Sequence, residues 1–461
     1  MQKIFLLALL FVFSNVVAQK NLTDHELELI GLGLQKSYTL KNASYELSID
    51  TLENKAIKQN FIPTLSMDGA YAYGVADLNV DVPVFQLPIA GIDLFEGDTD
   101  FKAKGQIFNS SLTAKMLLFS GMQVTYGSKA TQEKIKAKNY MLDKERADII
   151  IDIVDTFDKI ELLHKSEVII EESEKRLAKE KEKVKRAIEN GLATPYDREK
   201  ITAAELKLAS KKAELYGNID LLYLKLRMLT GKEVPELKTY DFDLKPWVLE
   251  ENNSSYLNRP ELSALEATIQ AYDYKIKMSR AAFLPKVQAF ASLSYFNLFD
   301  ASLDTPYNLP ISEQPINLDL NHLRSFPTYM VGVGFHWDIF NGLKHSNETQ
   351  RSSIEKNIAE NKKTDAEEKL ELYAKKIRID FDVKNKQIAL KEKEMTVAKN
   401  TLHLAIKSYR EGLITISERL EAEINYQMAV LEYYKMISMQ RRAALELLLS
   451  TGSLNLNNLS N

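Results

Sequence analysis

The sequence predicts a mixed fold, mostly α-helical, built as an internal duplication with long coiled-coil helices and four β-strands. Three observations carry this. The stretch GLATPYD, Gly191 to Asp197, is written again as GLITISE, Gly412 to Glu418. Apolar residues recur every seven positions through long charged stretches. Between those stretches the apolar period changes from helical to two, the signature of strands with one apolar face.

The duplication holds one register. LFSG, Leu118 to Gly121, returns as IFNG, Ile339 to Gly342, and LTG, Leu229 to Gly231, returns as STG, Ser450 to Gly452, both at a shift of 221 residues. FIP, Phe61 to Pro63, returns as FLP, Phe283 to Pro285, at a shift of 222. The expected organisation is a signal peptide at 1–18, a first repeat at 19–231 and a linker at 232–255. A second repeat at 256–452 and a tail at 453–461 complete it.

The signal is read from Lys3, the apolar run Ile4 to Phe13, and Val16-Val17-Ala18 before Gln19. A positive start, a short apolar core and a small-residue cleavage site are the parts of a secretory signal, so export is expected. Cysteine is absent, which removes a disulfide framework and a lipid-anchoring thiol. No later run is long and apolar enough for a spanning helix, so any membrane insertion is expected through a β-barrel. Charged residues make up 27% of the chain, yet the formal net charge is only −4, with no basic domain suited to nucleic acid.

Taken in order, Leu27, Ile30, Leu34, Leu40, Leu47 and Leu52 predict one helix from Leu22 to about Lys58, stopped before Pro63. Leu65, Met67, Tyr71, Tyr73 and Val75 then alternate with small or polar residues and predict a strand over Thr64 to Val80. A loop from Asp81 to Gly105 leads to a second such run, Leu112, Ala114, Met116 and Leu118. After Gly121 a seven-residue series follows: Ile135, Leu142, Ile149, Leu163, Ile170, Leu177 and Val184, interrupted by Thr156. Sustained heptads predict coiled-coil packing, and a helix of that length would span ~105 Å. Asn190-Gly191 stops it, and Pro195 starts the return helix, whose series is Ile201, Leu208, Leu215, Leu222 and Leu229.

The second half repeats the plan. It has a helix from about Tyr256 to Ala282, a strand pair, a long helix from Gly342 to Glu411, the second turn, and a return helix to Thr451. In the strand pair, Val287, Ala289, Ala291, Leu293 and Tyr295 alternate on one strand. Tyr329, Val331, Val333, Phe335, Trp337 and Ile339 alternate on the other. The return helices differ, since Ile201, Leu208 and Leu222 correspond to Ala422, Ala429 and Ala443; the second is expected against a bulkier neighbour. Four strands are too few to close a membrane barrel, whose minimum is about eight, so closure requires other copies of the chain.

The paired turns GLATPYD and YREGLITISE, the Phe-x-Pro entry to each first strand, the two hairpins and the long helices resemble the TolC-like outer-membrane efflux protein family over nearly all of the mature chain. The resemblance implies a homotrimer located in the cell outer membrane, with a shared twelve-stranded β-barrel in outer-membrane lipid. The barrel would continue into a long periplasmic extension, a helical tunnel closed at its tip. It also implies partners: a periplasmic adaptor and an inner-membrane transporter of RND or ABC type. The implied function is the passive exit duct of a tripartite efflux or type I secretion system. A periplasmic coiled-coil scaffold or adaptor without a barrel is the alternative.

Carried over by position, the gate residues implied are Asp197, Glu418 and Glu421, acidic groups just after the two turns. Ile414 and Thr415 stand where some relatives carry a basic residue, so Tyr196, Arg198 and Arg410 are the candidates for the closing bonds. Gly191, Leu192 and Thr194 of the first turn, and Gly412, Leu413 and Thr415 of the second, are the implied adaptor contacts. A carboxylate ring at a narrow aperture would favour cations; solvated first-turn acids favoured by the helix dipole are the plainer account of the same residues. Tyr329 and Trp337 are assigned to a membrane girdle, the alternative being ordinary inward packing. The six histidines never cluster at ligand spacing, and nucleophile elbows and phosphate loops are absent. No enzyme activity, metal or cofactor is therefore expected.

Overall fold

The structure, a computed structural model, describes residues 22–82, 97–242, 244–249, 255–308, 315–456 and 459. The expected signal at 1–18 and residues 243 and 250–254 of the expected linker lie outside the described residues. The chain divides into two compact units. One comprises Met1–Ile49, Lys134–Ile269 and Asn357–Asn461; the other comprises Asp50–Glu133 and Gln270–Lys356.

The helices follow the duplicated plan. The first half has α1 (Asp24–Lys36), α2 (Tyr38–Gln59), α3 (Gln123–Glu189) and α4 (Pro195–Thr230). A short α5 (Val234–Leu237) follows, then α6 (Pro260–Ala281), α7 (Lys344–Arg410) and α8 (Ile416–Ser450). The helix expected over Leu22 to Lys58 is two helices. Ser37 ends α1, its amide donating to Gly33 O at 3.0 Å, and its hydroxyl accepts from the Leu40 amide at 3.3 Å, capping α2. Serine satisfies free backbone groups at a helix start, which makes the break cheap. The helix expected from Tyr256 likewise begins later, after a 3₁₀ turn at Tyr256–Asn258.

In the helical unit the seven-residue series point inward. Leu142, Leu177 and Val184 of α3 and Ile201, Leu208 and Leu215 of α4 are buried. Thr156, the interruption, is fully buried as well; its hydroxyl donates to Asp152 O at 2.6 Å, so a polar side chain occupies a core position without a lost bond. The main core joins Leu29 and Ile30 of α1, Ile153 and Phe157 of α3, Leu226 of α4, Trp247 of the segment after α5, and Leu445 of α8. Phe157 stacks on Phe242 at 5.5 Å. Gly33 lets α1 approach closely, since a Cβ there would stand 2.2 Å from Ile153 Cδ1.

The other unit holds one four-stranded antiparallel sheet in the order β1 (Thr64–Val82), β2 (Gly97–Phe119), β3 (Lys286–Asn308), β4 (Pro315–His336). The hairpins of the two repeats therefore join through β2 and β3. β2 begins at Gly97 rather than after the loop expected to reach Gly105; Lys104 there pairs with Asp304 of β3 at 3.2 Å. β4 ends at His336, so Trp337 and Ile339 of the expected alternation lie beyond it. The register aligns one face across all four strands. Met67 opposes Leu112, Leu112 opposes Leu293, and Leu293 opposes Tyr329; one step along, Leu65, Ala114, Ala291 and Val331 align in the same way. On the opposite face Ser66, Thr113, Ser292 and Met330 align, mostly polar.

Candidate functional site

The two turns are built identically. At the end of α3, Gly191 adopts a left-handed conformation, φ 75°, which glycine enters without a side-chain clash. Leu192 N then donates to Ala187 O at 2.8 Å, closing the helix end. Gly412 has φ 72°, and Leu413 N donates to Ser408 O at 2.9 Å. Each turn then starts a helix with a reciprocal cap. The Thr194 amide and hydroxyl donate to Asp197 Oδ2 at 3.0 and 2.8 Å. Those of Thr415 donate to Glu418 Oε2 at 2.7 and 2.8 Å. The Thr415 amide, and then its hydroxyl, hold the Glu418 carboxyl below its usual range.

The turns also touch. Ile188 and Ala193 of the first pack with Tyr409, Ile416 and Leu420 of the second, around Val184 and Ile201. Lys200 Nζ donates to Ser417 Oγ. Leu192 is 83% exposed and Leu413 76%, so each turn presents an apolar tip to its surroundings.

In the other unit the aligned sheet face is open. Val331 is 81% exposed, and Leu65, Met67, Tyr71 and Tyr73 of β1 are exposed with it. An apolar face of that extent with nothing over it marks a contact surface with lipid or protein. Among the described residues no helix is long and apolar enough to cross a membrane. Residues 253–453, the second repeat, match the outer membrane efflux protein family.

The second repeat carries an outer membrane efflux protein domain.

No curated protein sequence matches the chain. Solved structures with similar folds include the Campylobacter jejuni CmeC outer membrane channel, at 14% identity over 93% of this chain and 86% of that one, TM-score 0.69. CusC is similar at 14% identity over 96% of each chain, TM-score 0.71. The open state of the Neisseria gonorrhoeae MtrE outer membrane channel is similar at 15% identity over 93% and 88%, TM-score 0.67. At these identities the likeness is one of fold, and the fold is that of outer-membrane efflux channels.

Within this efflux-protein fold the expected site residues are only partly assembled. Asp197 and Glu418 occupy equivalent capping places, and Glu421 is exposed one turn along α8. Tyr196 lies under Lys200 Nζ at 4.4 Å, Arg198 pairs with its neighbour Glu199 at 2.8 Å, and Arg410 is exposed. Tyr329 is exposed on the aligned apolar face, and Trp337 donates from Nε1 to Phe283 O at 2.9 Å just past β4.

Two buried ionic clusters in the helical unit were missed. Glu423 of α8 accepts from Ser173 Oγ at 2.8 Å and from Arg176 Nη2 at 2.8 Å, and pairs with Arg419 Nη2 at 3.3 Å. Arg441 meets Asp158 of α3 at 2.8 Å and Glu26 of α1 at 3.4 Å, with its guanidinium 5.3 Å from the Trp247 ring. A signal existed for the first. Ile416, Glu423, Val430, Ile437 and Ala444 form a seven-residue series, all buried, and Arg419, Tyr426, Gln440 and Leu447 lie on the adjoining one. Charges on core positions of a coiled coil announce partners inside. Of the alanine series taken from the repeat, Ala422 and Ala443 are buried, beside Tyr426 and Ala444, and Ala429 is half-buried.

Proposed function

We propose that the chain is one subunit of an outer-membrane export duct, a homotrimer whose sheets close a twelve-stranded barrel and whose helices form a periplasmic tunnel ending at the paired turns. The observation that carries this reading is the sheet. It has one continuous apolar face and, among the described residues, two edges, β1 and β4, each without a neighbouring strand on one side. In lipid such edges leave backbone groups unpaired, so the sheet demands further copies. A periplasmic scaffold would leave the same face in water.

The helices support self-association. α7 exposes Leu372, Ile379, Leu390, Val397 and Leu404, and α4 exposes Leu206, Leu221, Leu224 and Met228. These stripes match in height: Val397 stands fifteen residues before Gly412, and Leu206 fifteen residues after Gly191. Ile379 and Leu224 each stand thirty-three residues from the same glycines. α7 of one copy therefore suits α4 of the next, as facing rows of a coiled coil. Leu192 and Leu413, apolar and exposed at the turns, suit a periplasmic adaptor, through which an inner-membrane transporter would deliver cargo.

At the entrance, Asp197, Glu418 and Glu421 repeat around the threefold axis and favour cations. The test is conductance of the full-length protein in a planar bilayer, after its oligomer mass is measured in detergent. A trimer with discrete, cation-preferring steps is the expected result, and a species that never inserts overturns the duct. The double variant E418Q/E421Q keeps a side-chain oxygen for the Thr415 cap while removing both charges. It should lower the cation preference; an unchanged preference would leave Glu418 as a helix cap and Glu421 as a solvated acid.

A further inference from the structure

Arg419 is the under-bonded member of a crowded buried network. Its side chain is 1% exposed and Glu423 is 2% exposed. Arg176 already gives Glu423 bonds from Nε at 3.0 Å and Nη2 at 2.8 Å, and Ser173 adds one at 2.8 Å. Arg419 reaches the same carboxylate only through Nη2, at 3.3 Å. Among the described residues, its Nε and Nη1 have no hydrogen-bond partner. Burial draws its pKa below the usual arginine range, while the charges of Glu423 and Glu180 pull the other way. Glu180, 5% exposed, is the second acid available to it.

The Glu423 carboxylate, held by Ser173 and Arg176, bolts α8 to α3 just past the second turn. Resting on the reading of the turns as an aperture, we infer that Ser173, Arg176 and Glu423 are positioning residues for that aperture, clamping the α8 turns that carry Glu418 and Glu421, and that Arg419 loads the clamp against closure. Removing one partner of a buried ion pair strands a charge, whereas Glu423 keeps Arg176 and Ser173 without Arg419, so an apolar side chain at 419 removes two unbonded buried donors and strands no carboxylate. The two changes therefore act with opposite sign. Glu423→Gln strands the Arg419 guanidinium, leaves Arg176 with Glu172 alone at 3.2 Å, and loosens the second turn. Arg419→Met keeps an unbranched apolar stem, removes the charge and the two unbonded donors, and tightens it. The double variant restores the balance, because Arg176 retains Glu172 at 3.2 Å when Glu423 is neutral.

The experiment is amide hydrogen exchange across 412–426 in the full-length protein in detergent, read beside single-channel open probability. Exchange should quicken roughly tenfold in E423Q, slow roughly tenfold in R419M, and return near the parent value in R419M/E423Q. Open probability should rise and fall in the same order. Equal signs for the two single variants, no change in either, or additive loosening in the double variant would overturn the clamp. Exchange that follows the expected order with open probability unmoved would leave the clamp standing and sink the aperture reading instead.

Discussion

Arg441→Ala is expected to destabilise the helical unit by about 3–5 kcal/mol, the cost of leaving buried carboxylates without their cation. Arg441 is the only guanidinium that the structure places against both Glu26, which is fully buried, and Asp158, 3% exposed, among the described residues. It also donates to Lys245 O at 3.4 Å and lies against Trp247, so its loss frees the segment after α5 together with α1. Gln440, next to it, holds the Trp247 amide and carbonyl at 2.9 and 2.8 Å, which ties the same segment to α8. The measurement is denaturation of the detergent-purified protein followed by circular dichroism; a loss below about 1 kcal/mol, the range of exposed ion pairs, would contradict it.

The same cluster sets a pH dependence. Burial pushes the Asp158 carboxyl up to about 7, against the pull of Arg441, with Glu26 and Asp155 adding to the rise. A carboxyl raised in the folded state binds its proton more tightly there than in the unfolded chain. Its stabilising contribution is therefore complete below about pH 4 and is lost as pH rises through about 7. Asp158→Asn, which cannot titrate, should flatten the decline of the melting temperature between pH 5 and pH 8. Parallel profiles for parent and variant would show that the proton resides elsewhere.

On the barrel reading, Val331→Arg should destabilise the other unit by up to about 2–4 kcal/mol per copy, the upper cost of a cationic side chain on a lipid-facing strand. Val331 opposes Ala291 in the register and lies between Tyr329 and Phe335 on the aligned apolar face. The matched control is Gly334→Ser on the opposite face, where an added Cβ meets nothing within 4 Å. Gly332 would not serve, because a Cβ there would stand 2.9 Å from the Phe290 ring. Heat-modifiable migration of the folded oligomer gives the readout. Equal folding of the two variants would show that this face is not turned to lipid.

Much of this protein is legible in one dimension because its controlling interactions are local or periodic. The turns at Gly191 and Gly412 are short-range chemistry: a left-handed glycine, then threonine capping with an acid three residues on. The α3 and α4 heptads report burial, and the alternation of β1 and β4 reports one apolar face, through spacing alone. Even the break at Ser37 is local, although apolar spacing continues on either side of it. Only the tertiary structure decided what depends on which elements meet. The joining of β2 to β3 unites hairpins from different repeats, and no turn residue encodes it. Glu423 finds Ser173 across 250 residues, and Arg441 finds Glu26 across 415. The sequence alone determined that helices of this kind form and which face of each is apolar; long-range packing decided which charges could be buried, because a buried charge is tolerated only where a distant partner arrives to meet it.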